Sequence, residues 1–184
     1  MNLFLNTISK IGKIILFDND KNIIFSKDIE VLGNESTLLI NQLDIFLKEN
    51  NTFYSDLENI VVVNGPGSFT GVRTTTLMVN TINFVNKKNI TPINYFELFD
   101  NYPIIKTSSK RDSFVVFSKN GEVLVMLNDE IEKKLENIKS YYGDLKIDGK
   151  INIEDIDYEK IIKNIVLKKE EIIKPFYVKK PSIS

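Results

Sequence analysis

The sequence predicts an α/β protein built as two related lobes, each with strands first and helices after. Three observations carry this reading. Short β-rich runs alternate with stretches of helical period. One run, Ile60–Val63, is unbroken β-branched sequence ending in glycines. The same succession then starts again after residue 102. The division expected is a lobe at 1–102 and a smaller, shortened lobe with an extended tail at 103–184.

In the first half, Leu3–Ile8, Lys13–Phe17 and Asn22–Ser26 read as strands joined by polar turns, the simplest arrangement being an antiparallel meander. From Glu35 to Lys48 the period changes: Leu39, Leu43, Phe46 and Leu47 recur at helical spacing, with Leu38, Ile40 and Ile45 widening the stripe. Asn34 is the expected N-cap. Apolar residues on more than one face suggest a second surface that needs covering. Ile60–Val63 suits an interior strand covered on both faces. Ser68 then caps a helix running from Phe69 to Asn86, closed by Lys87 and Lys88 where cations favour the dipole. Thr91–Tyr95 is a further short strand.

The second half has less punctuation. Pro103–Thr107, Ser113–Ser118 and Glu122–Leu127 read as strands, the last two joined through the turn-forming pair Asn120-Gly121. Asp129–Lys139 reads as an amphipathic helix with Ile131, Leu135 and Ile138 inside. A weak strand follows near Tyr141, then a helix over Tyr158–Leu167. Pro175 and Pro181 keep the tail extended.

Composition excludes several kinds of chemistry. The 184 residues contain no His and no Cys, which removes an imidazole base, a Ser–His or Cys–His nucleophile, a thiolate and any His- or Cys-held metal. Any chemistry would rest on carboxylates, Lys, Arg, Tyr or hydroxyls. A net charge of −1 offers no broad basic footprint for nucleic acid. The Lys-, Asn- and Ile-rich composition, with Arg only at 73 and 111, has the character of an AT-rich genome, so lysine richness carries no functional weight. No apolar run approaches the ~20 residues of a membrane span. The N-terminus lacks a cation before its apolar stretch, so the expectation is a cytoplasmic protein with no membrane partner.

One segment carries specific information: Gly65, Pro66, Gly67, Ser68, Phe69, Thr70 and Gly71, set between the Ile60–Val63 strand and a helix. A strand, a glycine turn and a helix start can cradle phosphate. The spacing is nevertheless G-x-G-x-x-x-G, without the Lys of a P-loop, and Pro66 removes a donor. The other reading is a tight strand-to-helix connection. Arg73 sits in the first turn, where a cation opposes the helix dipole, and suits a site that meets a partner.

GPGSFTGVRTTTLM (65–78) resembles the GPGSFTG(L/V)R signature of the bacterial TsaB family, also called YeaZ, of the tRNA threonylcarbamoyladenosine machinery. LFLNTIS (3–9) is similar to that family's opening strand. GNESTLLINQLDIFLKE (33–49) resembles its first helix, Tyr141-Tyr142-Gly143-Asp144 its G-D-G-A turn, and Pro175-Phe176-Tyr177-Val178-Lys179 its terminal P-x-Y-L-R. The resemblance implies the actin/Hsp70/sugar-kinase fold: two ribonuclease-H-like lobes, each a mixed sheet flanked by helices.

Departures from that pattern bear on function. The opening-strand Asp is Asn6, which offers neither an anionic ligand nor a base. The glycine usual after it is absent from Thr7-Ile8-Ser9. The family's helix-starting His is Asn34, and its terminal Arg is Lys179. The catalytic relative TsaD holds metal through His residues, which this chain lacks. The resemblance therefore implies a non-catalytic scaffold with no cofactor and no metal. It would bind a TsaD-type subunit through the helices Glu35–Lys48 and Ser68–Asn86, with a TsaE-type ATPase in the larger complex. That complex transfers threonylcarbamoyl to N6 of adenosine 37 in tRNAs reading ANN codons, and this chain would meet tRNA only indirectly.

Helical spacing nominates Leu39, Leu43, Phe46, Arg73, Thr76, Val79, Asn80 and Asn83 as contacts. The tail lysines Lys174, Lys179 and Lys180 read as solvated charge. Two alternatives stand: a nucleotide-dependent phosphotransferase of the same fold, and a homodimeric scaffold acting alone.

Overall fold

A computed structural model describes residues 1–30 and 35–179, and the side chains from residue 38 onward within the first helix. Asn34, the expected N-cap, and Lys180 lie outside the described residues. In chain order the elements are β1 (Asn2–Asn6), β2 (Ile11–Phe17), β3 (Ile23–Glu30), α1 (Glu35–Glu49), β4 (Asn59–Val63), α2 (Phe69–Asn86) and β5 (Asn89–Ile93). They continue with β6 (Ile104–Thr107), β7 (Asp112–Val116), β8 (Leu124–Leu127), α3 (Asn128–Lys134), β9 (Ser140–Gly143), β10 (Ile151–Ile153) and α4 (Tyr158–Asn164).

The chain divides into two units. Unit 1 comprises Met1–Asn94 and Tyr158–Phe176; unit 2 comprises Tyr95–Asp157 and the chain from Tyr177 on. Each contains a five-stranded mixed sheet. The first has the order β3-β2-β1-β4-β5 and the second β8-β7-β6-β9-β10, so both follow one plan when each unit's strands are counted from its own first. In both, the first three strands form an antiparallel meander and the last two add in parallel beside the first.

In unit 1, β1 and β4 are central, which is why their sequences are apolar almost throughout rather than alternating. On one face Leu3, Leu5, Ile14, Leu16, Ile60 and Val62 join side chains of α1 and α2 in a single cluster. On the other face the Phe4 ring meets the Tyr158 ring of α4 edge-on, with centroids 5.6 Å apart. Ser68 caps α2 as its sequence position predicts, its Oγ accepting the Gly71 N–H at 3.0 Å. Lys87 ends the helix in the left-handed region at φ 53°.

In unit 2, Ile105, Val115, Ile131, Leu135 and Tyr141 form the centre of a smaller core. Gly143 sits at φ +113°, and a Cβ there would lie 1.8 Å from the Ile105 carbonyl oxygen, so this close crossing of β9 and β6 admits only glycine. Asp144 follows directly. One carboxylate oxygen accepts the Thr107 N–H at 2.7 Å, and the other pairs with Lys106.

Several expectations differ from the observed fold. The helix expected over Asp129–Lys139 stops at Lys134. Beyond it, Lys150 Nζ donates to the carbonyls of Leu135, Glu136 and Ile138 at 2.6, 3.3 and 3.0 Å, which unwinds the last turn around one ammonium. The Asn120-Gly121 pair does form a turn, with Gly121 N–H to Ser118 O at 2.9 Å, but within a longer loop between β7 and β8. Strand β10 has three residues and went unread. The final helix, assigned to the second lobe with everything after residue 102, belongs to unit 1. It is held there by Tyr158 and by Lys21 Nζ, which donates to the Lys163 and Ile165 carbonyls at 3.1 and 2.7 Å.

Candidate functional site

Two parts of unit 1 hold the residues singled out in the sequence: the glycine-rich loop with the strand beside it, and the helices α1 and α2. The loop leaves β4 through Asn64, whose N–H donates to Ile93 O at 2.9 Å. Gly65 follows at φ +132°, ahead of a cis Pro66. A Cβ on Gly65 would lie 2.4 Å from the Phe176 carbonyl oxygen. The same stretch is hydrogen-bonded to Asn64: Phe176 N–H donates to Asn64 O at 2.8 Å, and Asn64 Nδ2 donates to Lys174 O at 3.0 Å. A Cβ on Gly67 would lie 3.1 Å from Ile8 side-chain atoms. The glycines are therefore small because other parts of the chain press against them. The tight-connection reading of this loop accounts for the geometry, with the Phe176 backbone lying directly against Gly65.

Beside the loop, Asn6 ends β1 with its side chain buried and fully engaged. Its Nδ2 donates to Ser9 Oγ at 3.0 Å and to the Tyr158 hydroxyl at 2.9 Å. Its Oδ1 accepts the Ile8 N–H at 3.0 Å and the Ser9 N–H at 3.4 Å. All four of the amide's hydrogen-bonding positions are used. Among the described residues no three His, Cys, Asp or Glu side chains converge. The metal-supporting carboxylate that the wider fold implies is an amide here, and the donor set does not fit a divalent cation.

The helices correct the nominated contact face. Leu39, Leu43 and Phe46 of α1 and Val79 of α2 are core residues, packed in the unit 1 cluster against the sheet. Thr76 and Asn83 are buried as well. Asn80 is half-buried, its side chain clamping the backbone of Ile173. Arg73 alone of the eight is exposed, with its guanidinium 5.0 Å above the Phe69 ring, which accounts for a cation in a helix first turn without any acidic partner. In the motif loop, Gly65, Pro66 and Gly71 are buried, Gly67 is half-buried, and Ser68, Phe69 and Thr70 are exposed.

The outward face lies one step round each helix. On α2 it presents Phe69, Arg73, Leu77 and Phe84, with Val85 beside them. Leu77 is 68%, Val85 70% and Phe84 76% exposed. On α1 it presents Leu38 and Ile45. Single exposed apolar residues need no explanation, but a run along one helix does. The signal was in the sequence as apolar residues on two faces of α1. In α2 both stripes are mixed, the core one holding Val72, Met78, Val79 and Ile82 with Thr75, Thr76 and Asn83, and the outer one Phe69, Leu77, Phe84 and Val85 with Arg73, so hydrophobicity alone does not tell them apart.

A sequence model of the family described as "TsaD: tRNA N6-adenosine threonylcarbamoyltransferase" matches residues 34–175. No curated protein matches the chain by sequence. Among solved structures the fold is similar to YeaZ from Pseudomonas aeruginosa, with a TM-score of 0.60 and 16% identity, over 78% of this chain and 75% of that one. It is also similar to a protein described as uncharacterized, with similarity to peptidase YEAZ from Pseudomonas aeruginosa. There the TM-score is 0.54 and the identity 16%, over 68% of this chain and 64% of that one. These two likenesses speak for the fold, that of an actin/Hsp70/sugar-kinase-like pair of lobes.

Proposed function

The chain belongs to the family of TsaD, tRNA N6-adenosine threonylcarbamoyltransferase, and we propose that within this tRNA modification it serves as a non-catalytic scaffold that docks a TsaD-type catalytic subunit. The docking element is the outward face of α2 with the neighbouring outward residues of α1. The single observation that carries the reading is the run of exposed apolar side chains along α2, Phe69, Leu77, Phe84 and Val85, in a chain whose composition is otherwise that of an ordinary globular protein. Helix faces of this kind bury well against another helix.

The chemistry of the chain supports the non-catalytic part. It has no histidine with which to hold a metal, and the residue in the opening-strand carboxylate position is an amide with every hydrogen-bonding position used. The partner then supplies the transfer of threonylcarbamoyl to N6 of adenosine 37 in tRNAs reading ANN codons. A TsaE-type ATPase joins the larger assembly, and tRNA is met only through the partner.

Co-expression with the TsaD of the same organism, followed by size exclusion at micromolar concentration, tests the reading. One peak containing both chains is expected, and it should be lost with Phe84→Asp. Two separate peaks for the unmodified pair would overturn it, as would micromolar ATP·Mg²⁺ binding by the isolated chain in calorimetry. A homodimer through the same face would appear as a shift of the isolated chain that Phe84→Asp abolishes.

A further inference from the structure

Helix α2 has no Asp or Glu anywhere in its 18 residues, and its cations stand at its two ends: Arg73 in the first turn, Lys87 at the C-cap and Lys88 after it. The chain carries 25 acidic residues and a net charge of −1, so the absence of acids from α2 is not a property of the composition. The helix dipole explains Lys87 and Lys88 but opposes Arg73.

Arg73 and Lys87 are held in the same way. The Arg73 guanidinium lies 5.0 Å from the centroid of the Phe69 ring, and the Lys87 ammonium 5.0 Å from that of Phe84. A ring face attracts the charge but leaves most of the N–H donors without an acceptor. Among the described residues neither cation has a carboxylate within ion-pair distance. Lys88 is engaged elsewhere, donating to the Ser55 carbonyl at 2.7 Å. The described acids of α1 are engaged too: Asp44 accepts the Tyr54 hydroxyl at 2.5 Å, and Glu49 pairs with Lys27 at 3.1 Å. The outward surface of the two helices therefore offers apolar side chains between two cations that lack counter-charges.

Beside Lys87 the last turn of α2 opens into a cavity of about 690 Å³. Phe84 and Ile172, 76% and 74% exposed, are its apolar walls; Lys87, Lys88 and Glu171 are its charged ones, with the cations in excess. A recess of this order, continuous with an exposed ring on a docking face, is where a partner seats an apolar anchor.

On the premise that this face docks a catalytic subunit, we infer that the surface it receives is apolar and acid-flanked. That surface places carboxylates against Arg73 and Lys87, about 20 Å apart along α2, and an apolar side chain in the cavity between Phe84 and Ile172. Leu77, Val85 and Ile172 are aliphatic, which favours a protein surface over a nucleic acid, whose bases stack on rings and whose phosphates call for more cations.

The test is biolayer interferometry of the chain with the TsaD-type subunit of the same organism. Arg73→Glu with Lys87→Glu should slow association at about 0.05 M NaCl by at least about tenfold, and about 0.5 M NaCl should slow the parent far more than this variant. The neutral pair Arg73→Gln with Lys87→Gln should fall between. Lys119→Glu, the same reversal on an exposed residue of unit 2, should leave the rate within about twofold of the parent. Ile172→Asp should weaken affinity at least about tenfold, chiefly through faster dissociation. All these side chains are exposed, so urea midpoints should match the parent's. Absence of any complex would overturn the docking reading and the acid-flanked partner together. A complex whose rate ignores salt and the charge variants, or whose affinity ignores Ile172→Asp, would overturn the acid-flanked partner alone. So would tRNA binding by the isolated chain that the double Glu variant abolishes, because the cations would then serve phosphate.

Discussion

Replacing Gly65 by alanine is the most direct probe of why this loop contains glycine. Two separate costs follow from the geometry. At φ +132° an L-residue is strained, and backbone strain of this kind costs about 1–3 kcal/mol. The new Cβ would also lie 2.4 Å from the Phe176 carbonyl oxygen, a backbone atom that cannot rotate away. Moving it aside disturbs two hydrogen bonds, Phe176 N–H to Asn64 O and Asn64 Nδ2 to Lys174 O, each worth about 0.5–1.5 kcal/mol. The sum is about 2–6 kcal/mol.

Gly67→Ala is the control in the same loop. It carries no left-handed φ, and its Cβ would meet Ile8 and Val72 side-chain atoms at 3.1–3.2 Å, contacts that a small rotation relieves at a cost of about 1 kcal/mol. Urea titration of both variants against the parent, with thermal melts beside it, reads the difference. For a chain of this size Gly65→Ala should lower the melting temperature by roughly 4–24 °C and Gly67→Ala by about 2–4 °C. If the two variants fell within about 0.5 kcal/mol of each other, the contact with Phe176 would not be what requires glycine at 65.

Three further outcomes follow. Leu43→Asp places a charge in the unit 1 core and should cost more than about 4 kcal/mol, whereas Phe84→Asp should leave the urea midpoint nearly unchanged; the reverse order would invert the assignment of helix faces. Asn6→Asp removes the Nδ2 donor that meets Ser9 Oγ and the Tyr158 hydroxyl and should cost about 1–3 kcal/mol in urea titration at pH 7; a variant as stable as the parent would refute the part these two bonds play. The Lys179 ammonium, then Ser109, hold the Asp112 carboxyl below its ordinary 3.8, so the tail contact is complete above that pH and is lost as the pH falls through the lower folded value. The Asp112 carboxyl resonance in NMR should titrate below 3.8, and Lys179→Met should return it upward.

The order of strands and helices was legible because each unit keeps its periods separate: β-branched runs for strands, a 3.6-residue stripe for α1, and a serine before α2. What could not be read rests on contacts distant in sequence. The return of α4 to unit 1 depends on Tyr158 meeting Phe4 and Asn6, at a sequence separation of 152 for the latter. The segment after α4 has no period because hydrogen bonds to asparagine and threonine side chains hold it, with only Ile173 buried. The helix faces misled for a different reason. In α1 leucine and isoleucine occur on both sides, and in α2 the sheet-facing stripe includes Thr75, Thr76 and Asn83, with Thr75 hydrogen-bonded to Thr7 at 2.7 Å. Periodicity locates a stripe; it does not say which of two apolar stripes the sheet covers.

Asn6 and the glycine loop are neighbours held by one late stretch of chain. The resemblance places a carboxylate at the end of the opening strand, where active members of the wider superfamily handle phosphate and Mg²⁺. Here both positions are engaged by the same late stretch of chain: the Tyr158 hydroxyl accepts from Asn6, and the Phe176 backbone lies against Gly65 and Asn64. The asparagine at position 6 donates to two hydroxyls and accepts from two backbone N–H groups, so its amide is matched on both sides. The amide is thus the residue that fits once the site has become a packing joint. Tyr158 and the Phe176 backbone close these two positions, while Leu77 and Phe84 of α2 stay exposed.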